Sequence, residues 1–246
     1  MAFIRTVIGF LSVFMFTIIF LPFAIIFGLF RIVGLKRLSA TAMHKLLQGA
    51  AKFIIFIIGC KLIIKDHDKI PVKCKDGLCF ACNHTGIFDI VILFASVGVP
   101  FGFITKKEIL LVPMINVWVW ILGGIFLDRK NPRKALVTIK KCTKKLKNGV
   151  SMAVFPEGTR SKGRGILPFK SGPFKMAIDS DSTIIPVAIT GGYDVFEKTG
   201  LIQSSIVYVS FGDPIQTKTF TDEHKRQAIC DRTQATITEM LKYHNT

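Results

Sequence analysis

Acidic side chains are scarce in this chain. Sixteen Asp and Glu stand against 33 Lys and Arg, leaving a formal charge of +17 and a pI near 9.8. That balance excludes an acidic, halophile-type surface. Cysteine is also sparse: six residues in 246 are too few for a disulfide framework, which argues against a small secreted module. Three common motifs are missing as well. There is no G-x-S-x-G nucleophile elbow, no P-loop and no G-x-G-x-x-G fingerprint, so a base in this chain would act on a nucleophile that belongs to its substrate. Finally, no charge of either sign occurs between Arg5 and Arg31. What the chain has in abundance is apolar surface: half of its residues are hydrophobic, 22 of them Phe, and its mean hydropathy is +0.47. Such a composition is too apolar for disorder. Joined to a strong positive charge, it points to an anionic membrane surface before nucleic acid.

The charge-free stretch Thr6–Phe30 is long enough to cross a bilayer core, which takes about 20 apolar residues. Pro22 would kink it without forbidding it in lipid. Arg31, Lys36, Arg37 and Lys45 follow it, against Arg5 and the amino terminus before it. If the segment spans, the remainder of the chain therefore lies on the cytoplasmic side. A second segment, Ser39–Cys60, carries Met43, Leu46, Leu47, Ala50, Ile54 and Ile57 on one helical face and Lys45, Gln48 and Lys52 on the other, the pattern of an interfacial helix. A hairpin dipping into one leaflet fits the pair equally well. Residues 1–60 are thus expected to form membrane-associating helices.

Residues 61–246 read differently. Short apolar runs at Leu62–Lys65, Leu78–Cys82, Phe101–Ile104, Ile121–Leu127, Ser151–Phe155, Thr183–Ile189 and Ile206–Phe211 alternate with helical patterns near Phe88–Ser96, Pro132–Lys147, Phe174–Asp179 and Asp222–Lys242. The alternation predicts an α/β domain with a mixed, mostly parallel sheet flanked by helices. Asn131, Pro132 and Gly149 punctuate the second of those helices. Its lysines (134, 140, 141, 144, 145 and 147) have no interleaved aromatics, which favours anionic headgroups over nucleic acid. Cys79-x-x-Cys82, with Cys74 and His84 nearby, has a zinc-like spacing. A separation of three on a strand, however, puts the two thiols on opposite faces, and no second pair completes four ligands. No metal is expected, and the thiols are read as reduced and packed. His44, His67, His224 and His244 match no motif and are read as surface or helix-cap residues.

Two segments carry chemistry. His84-Thr-Gly-Ile-Phe-Asp89 follows a predicted strand and opens a helix. There an Asp in the first turn can hold an imidazole in one tautomer and leave its other nitrogen free to take a proton. Phe155-Pro-Glu-Gly-Thr-Arg-Ser161 ends another strand at Pro156 and presents the Glu157 carboxylate, the Gly158 amide and the Arg160 fork, which suits a phosphate. Both segments fall at strand carboxyl ends, where open α/β sheets bind ligands.

Taken with Gly124-Ile-Phe-Leu-Asp-Arg129 and Ile185-Pro186-Val187, these segments resemble the four ordered blocks of the glycerolipid acyltransferases, closest to the 1-acyl-glycerol-3-phosphate branch. Phe169-Lys-Ser-Gly-Pro-Phe174 also resembles that branch, and the likeness covers about residues 62–215. It implies transfer of a fatty acyl chain from acyl-CoA or acyl-carrier protein to the sn-2 hydroxyl of lysophosphatidic acid, with no cofactor and no covalent acyl-enzyme. By the same resemblance His84 is the general base and Asp89 its partner. Lys106, Arg129, Glu157, Gly158, Thr159 and Arg160 would hold the glycerol phosphate, and Ile185, Pro186 and Val187 would shape the acyl-donor side. One position departs: the family usually has Ser two residues after the His, and here it is Gly86. Either a substrate contact is lost, or Thr85 replaces a helix cap. The implied site is a cell membrane with the catalytic domain on its cytoplasmic face. Rival readings are acylation of glycerol 3-phosphate or another lysophospholipid, and a non-catalytic lipid-binding protein.

Overall fold

The computed structural model describes residues 2–71, 76–128, 131–221 and 223–244. Among the described residues eight strands form one sheet: β1 (Lys61–Lys65), β2 (Cys79–Cys82), β3 (Phe101–Lys106), β4 (Ile125–Leu127), β5 (Ser151–Val154), β6 (Thr183–Thr190), β7 (Ile206–Phe211) and β8 (Ile215–Gln216). Their spatial order is β1-β7-β6-β2-β5-β3-β4, with β8 beside β6. From β6 through β2, β5 and β3 to β4 every pairing is parallel; β7 and β8 run antiparallel to β6, and β1 follows β7. The sheet is therefore mixed and mostly parallel, as the strand–helix alternation predicts.

The helices are α1 (Ala2–Ile19), α2 (Leu21–Ile32), α3 (Lys36–Ile57), α4 (Asp89–Ser96), α5 (Ile115–Ile121), α6 (Pro132–Lys147), α7 (Lys175–Asp179), α8 (Gly192–Val195) and α9 (Lys225–Lys242). They bury the two faces of the sheet separately. One core joins Phe80, Cys82, Phe101, Ile185, Val187 and Val209 to Ala51, Ile55 and Ile58 of the α3 end and to Ile92 and Leu93 of α4. The other joins Cys79, Ala81, Met152 and Ile184 to Cys142 and Leu146 of α6 and to Ile229, Cys230 and Ile237 of α9. Cys79 and Cys82 thus do face opposite sides of the sheet; Cys74 lies outside the described residues. A proline sits in the central strand without breaking it. On the edge of β6 away from β2, β8 pairs Thr183 and Ile184, and β7 pairs only from Val187 onward. Pro186 falls at the change of partner, where no strand requires its missing N–H.

The amino-terminal region departs from expectation in two ways. The apolar stretch is two helices broken at Phe20, with Pro22 in the first turn of α2. Among the described residues no single helix is long and apolar enough to cross a membrane; Ala2–Phe16 and Leu21–Ile32 meet that standard only as a pair bent by 43°. The second predicted segment is α3, and its buried stripe is Ser39, Met43, Leu47, Ala51 and Ile55, rotated from the face read in sequence. The physical reason is that α3 is covered on two sides, by α1 and α2 and by α4 with the sheet, so it is wedged between layers and does not lie free on an interface. His44 is correspondingly buried and bonds the Val97 carbonyl through Nε2 at 2.9 Å.

Elsewhere, Ile121–Leu127 is not one strand. Gly123 (φ +82°) ends α5 with amide bonds back from Gly123 and Gly124 to Trp120 and Val119, and β4 begins only at Ile125. α6 begins as punctuated, with Asn131 accepting the Lys134 amide. Yet Lys145 folds inward onto the Gly123 carbonyl, and burial with Arg31 nearby pulls its ammonium down to about 8. His244 is no surface residue either: Nδ1 bonds the Thr190 hydroxyl and Nε2 the Ser210 hydroxyl, each at 2.8 Å. Burial lowers its pKa to about 4. His67 and His224 are exposed, the latter at the α9 cap.

Candidate active site

The chain leaves β2 through Asn83, whose buried side-chain amide carries on the pairing with β6. Its Nδ2 donates to the Ile189 carbonyl at 2.9 Å and its Oδ1 accepts the Ile189 N–H at 2.8 Å. That double bond sets the direction in which His84 leaves the sheet. The next residues turn tightly around a single buried carboxylate. Asp89 Oδ2 accepts from His84 Nδ1 at 2.9 Å, from the Thr85 amide at 2.6 Å and from the Gly86 amide at 2.9 Å, while Oδ1 accepts the Thr85 hydroxyl at 2.8 Å. An ionised carboxylate only accepts, so the imidazole proton resides on Nδ1 and Nε2 carries the lone pair. Among the described residues Nε2 has no partner. The ring lies flat on Phe155, with centroids 4.0 Å apart and planes at 19°, and its side chain keeps 16% of its surface exposed. The ring is held in one orientation on an apolar floor that continues through Phe103.

The loop after β5 is stitched to this turn. Glu157 Oε1 accepts the His84 amide at 2.6 Å and Oε2 accepts the Leu167 amide at 3.2 Å. In return the Ser161 and Lys162 amides donate to the His84 and Thr85 carbonyls at 2.8 and 3.2 Å. Burial pushes the Glu157 carboxyl up, and the N–H groups of His84 and Leu167 oppose that rise. Because both carboxylate oxygens are occupied by backbone, Glu157 is built to fix the loop; it is not turned toward an anion. Gly158, at φ +71°, closes the turn by donating to the Phe155 carbonyl, so this amide is not simply presented outward.

Thr159 is exposed and Arg160 half-buried, and the Arg160 guanidinium pairs with Glu197. Lys106 is exposed at the carboxyl end of β3. Its neighbour Lys107 pairs with Asp128 at 2.9 Å. Arg129 lies outside the described residues. Ile185, Pro186 and Val187 are fully interior: Ile185 and Val187 have no exposed surface, and all three are paired with β2. They brace the strand that launches His84. Sequence reading gave no role to Asn83, which precedes His84, or to Phe155, which opens the second segment. Nothing in the sequence marks Glu197, which lies after α8 and far from either block.

A family model described as "Acyltransferase" matches residues 61–190. Curated 1-acyl-sn-glycerol-3-phosphate acyltransferases are similar to the chain. That of Borreliella burgdorferi is 29% identical over 165 residues, covering 67% of this chain and 65% of its own length. That of Escherichia coli is 33% identical over 149 residues, 60% of each. The chain thus spans less than two thirds of the length of these relatives. The crystal structure of the 1-acyl-sn-glycerophosphate (LPA) acyltransferase, PlsC, from Thermotoga maritima superimposes with a TM-score of 0.82 at 23% identity, covering 100% of this chain and 98% of that one. The last likeness concerns the fold.

Proposed function

The chain belongs to the acyltransferase family, and we propose that it moves a fatty acyl group from a thioester, acyl-CoA or acyl-carrier protein, to the sn-2 hydroxyl of lysophosphatidic acid, giving phosphatidic acid. The observation that carries this reading is the Asp89–His84 pair: a tautomer-locked imidazole with a free Nε2, set on a strand end and stitched to the loop that carries Arg160. The curated relatives' printed activity points the same way.

In the reaction we envisage, Nε2 takes the proton of the acceptor hydroxyl as its oxygen attacks the thioester carbonyl. The C–S bond breaks, and the departing thiolate recovers that proton from the imidazolium. The acyl group passes directly to the lipid, no acyl-enzyme forms, and neither metal nor cofactor enters the scheme. Asp89 stabilises the transient imidazolium, and the inward face of Phe155 keeps water from the ring. Arg160, with Lys106, Thr159 and Arg129, holds the acceptor's phosphate, where a bidentate fork suits the anion. Gly158 shapes the turn that presents Arg160, and Glu157 holds His84 in place through its amide.

The acceptor and product of this reaction are membrane lipids, and residues 1–60 are read as the element that brings the site to them. Phe3, Phe14 and Ile25 are exposed on α1 and α2, as a lipid-facing surface requires. The outward lysines of α6 meet anionic headgroups, and the catalytic part, residues 61–246, works at the cytoplasmic face. The test is free-thiol release from oleoyl-CoA by purified protein in mixed micelles, with lysophosphatidic acid, glycerol 3-phosphate, lysophosphatidylcholine or no acceptor. Release that requires lysophosphatidic acid and vanishes in His84→Ala supports the reading. Preference for another acceptor would change the substrate, and no release with CoA or carrier-protein donors would replace the enzyme by a lipid-binding protein.

A further inference from the structure

Gly86 is the position where the first block departs from its family pattern, and the space around it is not empty. A Cβ on Gly86 would overlap Glu197 Oε2 and stand 3.3 Å from the Gly192 carbonyl oxygen. Glu197 comes from a distant part of the chain, the segment that follows β6, and its side chain is only 12% exposed. Each carboxylate oxygen has a task. Oε2 accepts the Ile87 amide at 2.7 Å, and Oε1 receives the Arg160 guanidinium. Among the described residues Arg160 has no other hydrogen-bond partner.

The segment that carries Glu197 is itself pinned. Gln203 donates to the Val195 carbonyl, Ile202 donates to the Thr6 hydroxyl at 2.8 Å, and Phe196 meets Phe10 edge to face at 6.1 Å. Glu197 therefore approaches the site from a fixed platform that includes the first helix.

We propose that Glu197 is a positioning residue for the acceptor's phosphate: its carboxylate fills the volume that a side chain at position 86 would take, and from there it fixes both the Arg160 fork and the amide of the His84–Asp89 turn. The proposal rests on the acyltransferase reading of the site. It gives the glycine at 86 a physical reason, since the carboxylate and a side chain there exclude each other. It also requires a carboxylate, because Gln at 197 has one acceptor oxygen for two donors. Loss of Glu197 leaves Arg160 free to sample other rotamers, and each productive encounter with the phosphate must then order it again.

The experiment compares wild type with Glu197→Gln, Glu197→Ala, Gly86→Ser and the double variant Gly86→Ser/Glu197→Ala, by thiol-release kinetics and thermal melting. Both Glu197 variants are expected to raise KM for lysophosphatidic acid about tenfold, the worth of one charge-assisted hydrogen bond, while kcat and the KM for oleoyl-CoA stay within about twofold. Gly86→Ser alone should give a similar rise, and adding it to Glu197→Ala should add nothing, in KM or in melting temperature. An unchanged lysophosphatidic acid KM in Glu197→Ala, or additive effects in the double variant, would overturn the proposal. A wild-type protein that transfers no acyl chain would sink the functional reading instead. The Gly86–Glu197 coupling would then be judged by the melting cycle and by calorimetric titration of 1-oleoyl-lysophosphatidate, where additivity and unaltered binding overturn it.

Discussion

Around the carboxyl ends of β2 and β5, the carboxylates of Asp89, Glu157 and Glu197 gather five backbone amides, an imidazole, a hydroxyl and a guanidinium from segments far apart in the chain. In α1 and α2 polar ties across the fold are sparse: Arg5 to Ser204, Thr6 to Ile202, Ser39 of α3 back to Phe27, and Arg31 to the Ile121 carbonyl. Apolar contact, such as Phe16 on Trp118, accompanies them, with Arg31 also set over the Trp120 ring. Hydrogen bonds are directional and expensive to leave unmade when buried, so they fix angles. Apolar contact scales with area and tolerates sliding. The first region is built to hold atoms, the second to hold a surface.

The largest test of this contrast removes the oriented base. His84→Ala and Asp89→Asn should each lower acyl transfer by about 10²–10⁴-fold, with vesicle binding unchanged; a loss of binding in step with activity would erase the distinction. Next comes pH. Since His244 has a pKa near 4 in the fold, below its ordinary value, the unfolded chain takes up the proton first as pH falls. The stability from the neutral ring is complete above about pH 6.5 and is lost toward pH 4, by up to about 3 kcal/mol. Melting curves across that range should show the slope in wild type and a flatter one in His244→Gln. Glu157→Gln follows: with one acceptor oxygen for two amides it should cost about ten- to a hundredfold in kcat, and full activity would show that the stitching of the two loops is dispensable. The smallest effect is expected in the apolar region. Phe3 and Phe14, 70% and 61% exposed, changed singly to Ser, should each weaken binding to anionic vesicles about tenfold, as burial of one aromatic side chain in lipid predicts. Micellar kcat should be unaffected.

The same division governs what the sequence made legible. The His84–Asp89 pair is read from a five-residue spacing, and α6 from Asn131, Pro132 and Gly149, because local spacing determines both. The face of α3 was misjudged, since periodicity reports an apolar stripe and α3 is covered on two sides. The strand expected over Ile121–Leu127 begins four residues too early, because Ile121 and Leu122 are as apolar as strand residues and only the positive φ of Gly123 separates α5 from β4. His44 and His244 looked idle because their partners, Val97, Thr190 and Ser210, are distant in the chain. Glu197 was invisible for that reason: its partners Ile87 and Arg160 stand 110 and 37 positions away.

The pairing of β1 has a consequence for how the molecule comes into being. Lys61 pairs with Ile206 and Lys65 with Ser210, and among the described residues β7 is the one strand beside β1. β1 is made well before β7 and therefore waits for it before it can enter the sheet, and the ties of Arg5 and Thr6 wait for the same later segment. Non-local closure of this kind is slow. Throughout the delay α1 and α2 have α3 as a partner, while the apolar surface that the later segments cover, such as Phe10 against Phe196 and Phe16 against Trp118, stays open. On the membrane-associated reading proposed above, apolar surface that waits this long would meet a bilayer before the sheet is complete, so attachment and folding would be coupled.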